Sequence, residues 1–161
     1  MKTLTLEKVI TDEQVKNLKG KYLTSEDIKY DIVFIDGLHH SVQVIKDITN
    51  SLKHSIDNGV IAMHDCNPPT KAHAQVPRNS QREWNGDTYK SFLQSRIDNP
   101  QHKHFVVDDD WGVGVILKNQ GDFNIDKNEL QQGIDSWEYF NTNRTKLLTL
   151  ISPDEFKESY K

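Results

Sequence analysis

The sequence predicts an α/β fold in which parallel strands are covered by helices and followed by an antiparallel hairpin and a helical tail. Three observations carry this. Ile32, Val33, Phe34 and Ile35 form an unbroken apolar run, the pattern of a parallel strand buried on both faces. Residues 41–56 place Ile45, Ile48, Leu52 and Ile56 on one helical face and Lys46, Asp47, Asn50 and Lys53 on the other. Val60 to Met63 is a second apolar run. Residues 31–64 therefore read as one βαβ unit, right-handed, with its strands parallel.

Taken in order, Thr11-Asp12-Glu13-Gln14 has the form of a capping box opening a helix to about Leu18, and Lys21 to Thr24 reads as a short strand. Ser25 to Ile28 reads as a turn or one helical turn before the main strand. Asp57-Asn58-Gly59 ends the helix of the βαβ unit. Residues 66–86, with Pro68, Pro69, Pro77 and Gly86, form a long loop of the kind that serves as a lid or binding loop. Asp87 is placed to cap a helix running to about Ile97, buried through Tyr89, Phe92, Leu93 and Ile97. His104 to Val107 and Val113 to Leu117 read as a hairpin. Trp137, Phe140, Leu147, Leu148 and Leu150 mark a helical tail, and Ser152-Pro153-Asp154-Glu155 opens a last helix with a capping box and Pro at its first position.

Composition narrows the function. The 161 residues suit one domain, divided into an N-terminal segment (1–29), a core (30–118) and a helical tail (119–161). Acidic and basic residues are interspersed, the net charge is -4, and no basic block is present to neutralise phosphates, which argues against nucleic acid as partner. No apolar run approaches a membrane span and the start lacks a signal-peptide core, so the expected location is cytoplasmic, with no membrane partner. The single cysteine, Cys66, excludes an internal disulfide and reads as a small semi-buried residue rather than a nucleophile.

Both strands of the βαβ unit stop at polar clusters, Asp36-Gly37-Leu38-His39-His40 and His64-Asp65-Cys66-Asn67. Strands in open α/β sheets gather ligands at their carboxyl ends. With neighbouring strands about 4.8 Å apart, Asp36 and Asp65 can bracket one hard divalent cation such as Mg²⁺. A metal-bound hydroxyl loses its proton readily, and a histidine kept neutral by the helix N-terminus, His39 or His40, can take it. Asp36 before glycine also fits a turn pair, and Asp65 a loop cap. His40, His73, His102 and His104 read as ordinary surface or loop residues. Asp108 to Asp110 read as a solvated hairpin tip or a cation site, and Trp84 and Trp111 as pocket walls or core filling.

The stretches YDIVFIDGLHHSVQVIKDI, GVIAMHDCNPPT, WNGDTYKSF and VVDDDWGVGVI, with the tail WEYFNTNRTKLLTLISPDEF, resemble class I S-adenosylmethionine-dependent methyltransferases. More narrowly they resemble a branch associated with sugar and surface-polysaccharide modification. The resemblance implies a Rossmann-like methyltransferase sheet and O-methylation of a sugar or other small-molecule hydroxyl. It places the general base at His39 and the metal ligands at Asp36, His64 and Asp65, with histidine where the family carries an acidic residue. That substitution favours a softer transition metal.

Such enzymes open with a glycine-rich turn and an acidic residue for the cofactor ribose, whereas Gly20 is the only glycine before Gly37. The resemblance thus implies an N-terminally truncated, C-terminal half of the fold, with its S-adenosylmethionine-binding residues unassigned. Three readings follow. The chain is an enzyme half completed by a second copy or a partner chain that covers the open sheet edge. Or it is an assembly module that kept the scaffold without the chemistry, or a metal-dependent hydrolase using Asp36, His64 and Asp65.

Overall fold

The computed structural model of the chain describes residues 29–78, 83–121 and 126–160. The helix expected over residues 11–18, the strand over 21–24 and the turn over 25–28 lie outside them. In chain order the elements are β1 (Tyr30–Ile35), α1 (Ser41–His54), β2 (Ser55–Met63), α2 (Thr88–Asp98), β3 (Lys103–Val107), β4 (Val113–Leu117), α3 (Lys127–Asp135), α4 (Trp137–Leu148), β5 (Leu150–Ile151) and α5 (Pro153–Ser159). The strands form one mixed sheet in the order β1-β2-β4-β3-β5. β1 and β2 are parallel, with Ile32 opposite Val60 and Ile35 opposite Met63, and β3 and β4 form the antiparallel hairpin. No described helix is long and apolar enough to cross a membrane.

Helix α1 stops two residues earlier than its periodicity predicts. Ser55 is extended, at φ -91° and ψ 147°, and its hydroxyl donates to the Ser51 carbonyl at 2.6 Å. Ile56, expected on the buried stripe, is instead exposed in β2. The Asp57-Asn58-Gly59 break is real, but it forms a bulge within β2 rather than a loop before it. Asn58 has φ 62°, and the pairing jumps from Tyr30–Ser55 to Ile32–Val60.

The pleat divides the sheet's side chains between two layers. On one face Ile35, Ile61, Met63, Val106 and Ile116 pack against Val44 and Ile48 of α1, Phe92 and Leu93 of α2, Leu130 of α3, and Phe140, Leu147 and Leu148 of α4. On the other, Phe105, Val107, Val115 and Leu117 meet Phe156 of α5. Helix α5 starts as expected, with Pro153 in the first turn and the Ser152 hydroxyl accepting from the Glu155 N–H.

Strand β1 is not buried on both faces. Val33 and Ile35 face the helices, but Ile32 and Phe34 are 62% and 61% exposed. Among the described residues α5 covers only the β3–β4 side of the second face, and β1 is an edge strand paired with β2 alone. A run of four apolar residues is the same string whether one face or both are covered.

Three further expectations change. Leu150 lies in β5, parallel to β3, because Thr149 takes φ 47° and ends α4. Asp87 precedes α2, yet its carboxylate accepts from the Ser41 N–H at 2.6 Å and the Ser41 hydroxyl at 2.7 Å, so it serves the start of α1. His102 and His104 are buried rather than superficial, each 5% exposed. His104 pairs with Ile116 across the hairpin and therefore faces the helices. Its Nδ1–H donates to the His102 carbonyl at 3.0 Å, which leaves Nε2 to accept from the Ser95 hydroxyl at 3.0 Å. Cys66 is wholly buried, and burial pushes its thiol up, which removes it as a nucleophile.

Candidate functional site

Because β1 and β2 run parallel, the residues that follow them emerge side by side. The His64 N–H donates to the Ile35 carbonyl at 3.0 Å, extending the ladder past the last strand pair. Asp65 then takes φ 63° and turns its side chain into the protein, where it is 6% exposed. Its Oδ1 accepts from Asn85 Nδ2 at 2.6 Å. Its Oδ2 lies 3.1 Å from His39 Nδ1 and 3.2 Å from His64 Nδ1. Asp36 Oδ1 stands 3.5 Å from His39 Nε2 and 3.7 Å from His64 Nδ1. Asp36, His64 and Asp65 each present a ligand atom within 4.8 Å of the others, a donor set of two carboxylates and an imidazole that fits a divalent cation.

The geometry fixes the tautomer of His39. Its Nδ1 is 2.8 Å from the Trp84 carbonyl, which can only accept, so Nδ1 carries the proton and neutral His39 keeps its lone pair on Nε2. The Trp84 ring stacks on the imidazole at 5.5 Å, and its indole N–H donates to the Gln75 carbonyl. The Asp87 N–H donates to the His39 carbonyl at 3.2 Å. Gly86, at φ 60°, lies against that carbonyl so closely that a Cβ would stand 1.8 Å from its oxygen. Segment 84–87 thus holds His39 by ring, carbonyl and backbone. His39 itself lies just before the N-cap of α1, His40.

Three carboxylates, Asp36, Asp65 and Asp110, surround two imidazoles. Burial pulls the His64 pKa down, but Asp65, Asp36 and Asp110 together outweigh it and hold the ring above its ordinary value. Burial raises the Asp65 carboxyl, against the opposing pull of His39, His64 and the Asn85 amide. The surplus negative charge is one that a cation or a proton neutralises.

Asp110, Asn85 and Trp84 belong to this site: the sequence left Asp110 between a solvated hairpin tip and a cation site and Trp84 between a pocket wall and core filling, and gave Asn85 no role. Asp110 Oδ2 approaches His64 Nε2 to 3.3 Å from the tip of the β3–β4 hairpin. Asp110, Trp111 and Gly112 all have positive φ, which folds the tip back until the Gly112 and Trp111 carbonyls accept from the Cys66 and Asn67 N–H groups. Asn67 Nδ2 also donates to Asp108, while Arg144 donates to Asn67 Oδ1. Of the remaining residues, His40 stands edge-on to Trp84 and His73 stacks on Trp111, both bordering the site. His102 precedes β3 and His104 is its second residue, whereas Asp108 follows its far end, so the two histidines sit at the opposite end of the sheet.

A family model described as a methyltransferase domain matches residues 6–66. That stretch contains Asp36, His39, His64 and Asp65, and the mixed α/β sheet is compatible with it. No curated protein and no solved structure matches the chain. The match supports a methyltransferase-like protein.

Proposed function

We propose that this chain carries the acceptor-activating half of an S-adenosylmethionine-dependent O-methyltransferase acting on a sugar or other small-molecule hydroxyl. The observation that carries the reading is His39, held with Nδ1 protonated and Nε2 free beside Asp36 at the shared end of β1 and β2. Nε2 is placed to take the proton of an acceptor hydroxyl as that oxygen would displace the methyl group from the sulfonium sulfur, which would leave as a thioether, and Asp65, 3.1 Å from Nδ1, stabilises the imidazolium that results.

Asp36, His64 and Asp65 are the residues to hold a divalent cation, which supplies Lewis acidity that lowers the hydroxyl pKa. Mg²⁺ is admissible, and the imidazole of His64 improves the site for a softer metal. Bound S-adenosylmethionine supplies the electrophilic methyl group. Among the described residues no glycine-rich turn follows a strand, so none is assigned to it. The described parts of the loop, residues 67–78 and 83–87, border the acceptor.

The open edge of β1 favours a second feature of the same reading. Tyr30, Ile32 and Phe34 present an apolar strip beside backbone that no other described strand pairs with, a surface for a second copy or a partner chain. If no partner restores chemistry, the chain is an assembly module derived from the same scaffold.

The test is calorimetric titration of S-adenosylmethionine and its demethylated product into the full chain, with and without Mg²⁺ or Mn²⁺, followed by methyl transfer to hydroxyl acceptors. Binding is expected, and His39→Ala is expected to lower turnover about 100-fold or more with little change in cofactor affinity. A full-rate His39→Ala variant would remove His39 as the base.

A further inference from the structure

A cavity of about 580 Å³ opens between the loop at Lys71–Val76, the start of α2 and the α3–α4 junction. Asp36, His39, His64 and Asp65 do not line it. Its volume falls in the range of about 300–1,000 Å³ typical of small-ligand sites.

The polar groups on its wall sort into spent and unspent. The Asp87 carboxylate is occupied by Ser41, and Lys71 Nζ is paired with Glu138 Oε1 at 2.9 Å. Tyr89 is 2% exposed, yet its hydroxyl has no hydrogen-bond partner among the described residues. The ring is buried but the hydroxyl opens onto the cavity, where a ligand oxygen can take the place of water as its partner. The Lys90 ammonium makes no ion pair among the described residues, and Asp135 uses only Oδ1, on Gln131. Trp137 adds an indole ring to the same wall, edge-on to Tyr89 at 6.0 Å.

We propose that this cavity is a binding site, separate from the His39 cluster, for a neutral, hydroxyl-rich ring, that is, a saccharide unit. Tyr89 and Lys90 donate to its ring and hydroxyl oxygens, Asp135 accepts from its hydroxyls, and Trp137 lies against its C–H face. A ligand of strong single charge is disfavoured because carboxylates and ammonium groups line the wall together. Burial, with Asp87 and Glu138 nearby, pushes the Tyr89 phenol up to about 12, which keeps it a donor. The wall also touches the first site, since the Gln75 carbonyl holds the Trp84 indole and the Asp87 N–H holds the His39 carbonyl.

The experiment is an NMR titration of the ¹⁵N-labelled full chain with methyl glucoside, methyl mannoside and methyl galactoside, with glycerol as control. Neither S-adenosylmethionine nor metal is added, so failure here leaves the reading of His39 untouched. The indole N–H of Trp137, assigned with Trp137→Phe, is expected to shift saturably with at least one glycoside. Tyr89→Phe, which keeps the ring packed 4.1 Å from Phe140, is expected to weaken binding about fivefold, and Lys90→Met likewise. The proposal is overturned if no glycoside gives a saturable shift, if glycerol reproduces the response, or if both variants bind as the parent does.

Discussion

Asp65 holds two imidazoles and an amide with one carboxylate, and the residue that makes this geometry available is Gly86. Its φ of 60° and its approach to the His39 carbonyl leave no room for a Cβ. Gly86→Ala must either move segment 84–87 off His39 or displace the His39 backbone. In both cases the Trp84 carbonyl no longer fixes Nδ1. The left-handed conformation and the steric overlap together are expected to cost about 3 kcal/mol, read as a lower urea midpoint at unchanged slope. A Gly86→Ala chain as stable as the parent would show that the contact does not hold His39 in solution. At this scale the sequence exposed Asp36, His39, His64 and Asp65 because each follows or flanks a strand end. Asp110 was left between a solvated tip and a cation site and Asn85 was given no role, because a hairpin tip and a loop reach the site only through backbone turns that the residue types do not specify.

Strand β1 contributes Asp36 at its end and an apolar strip along its flank. Ile32 and Phe34 lose almost nothing in the chain itself when made polar, since more than half of each side chain already meets water. The double substitution Ile32→Lys, Phe34→Lys is therefore expected to change stability by less than about 1 kcal/mol. It is also expected to lower self-association of the purified chain in sedimentation, because lysines on an edge strand block pairing. A loss of several kcal/mol would instead mean that the strip is covered within the fold. The parallel β1–β2 pair, the hairpin and the Ser152-Pro153 helix start were legible because apolar period and cap chemistry are local properties. Which face of β1 is covered, why Leu150 belongs to a strand, and why Asp87 serves α1 rather than α2 depend on what packs nearby. Helix α3 falls inside the helical tail expected over residues 119–161 but was not delimited there, for a similar reason. It buries only Leu130 and Gly133, and Gly133 is there because Leu147 crosses at the place a side chain would fill.

Across the whole molecule, the titrating groups divide between two ends of the sheet. At the strand ends the carboxylates hold His64 up, while at the start of β3 burial holds His104 down to about 3, well below 6.5. The groups facing His104 are Ser95 and Arg96 of α2 and the neighbouring His102, itself lowered by burial, and none offers a negative charge. The unfolded chain binds a proton at this histidine as pH falls through 6.5, and the folded chain refuses it until about 3. Its contribution is therefore fully present above 6.5 and is lost across that interval, on the order of 2 kcal/mol by about pH 5. Urea unfolding near neutrality and near pH 5 should show this loss. His104→Leu should shrink it, leaving a smaller residue of the same sign from His102. The carboxylates at the other end of the sheet remain in both proteins, so they cancel in the comparison. An equal acid loss in parent and variant would mean that His104 takes its proton in the folded state, through an opening of α2 away from β3.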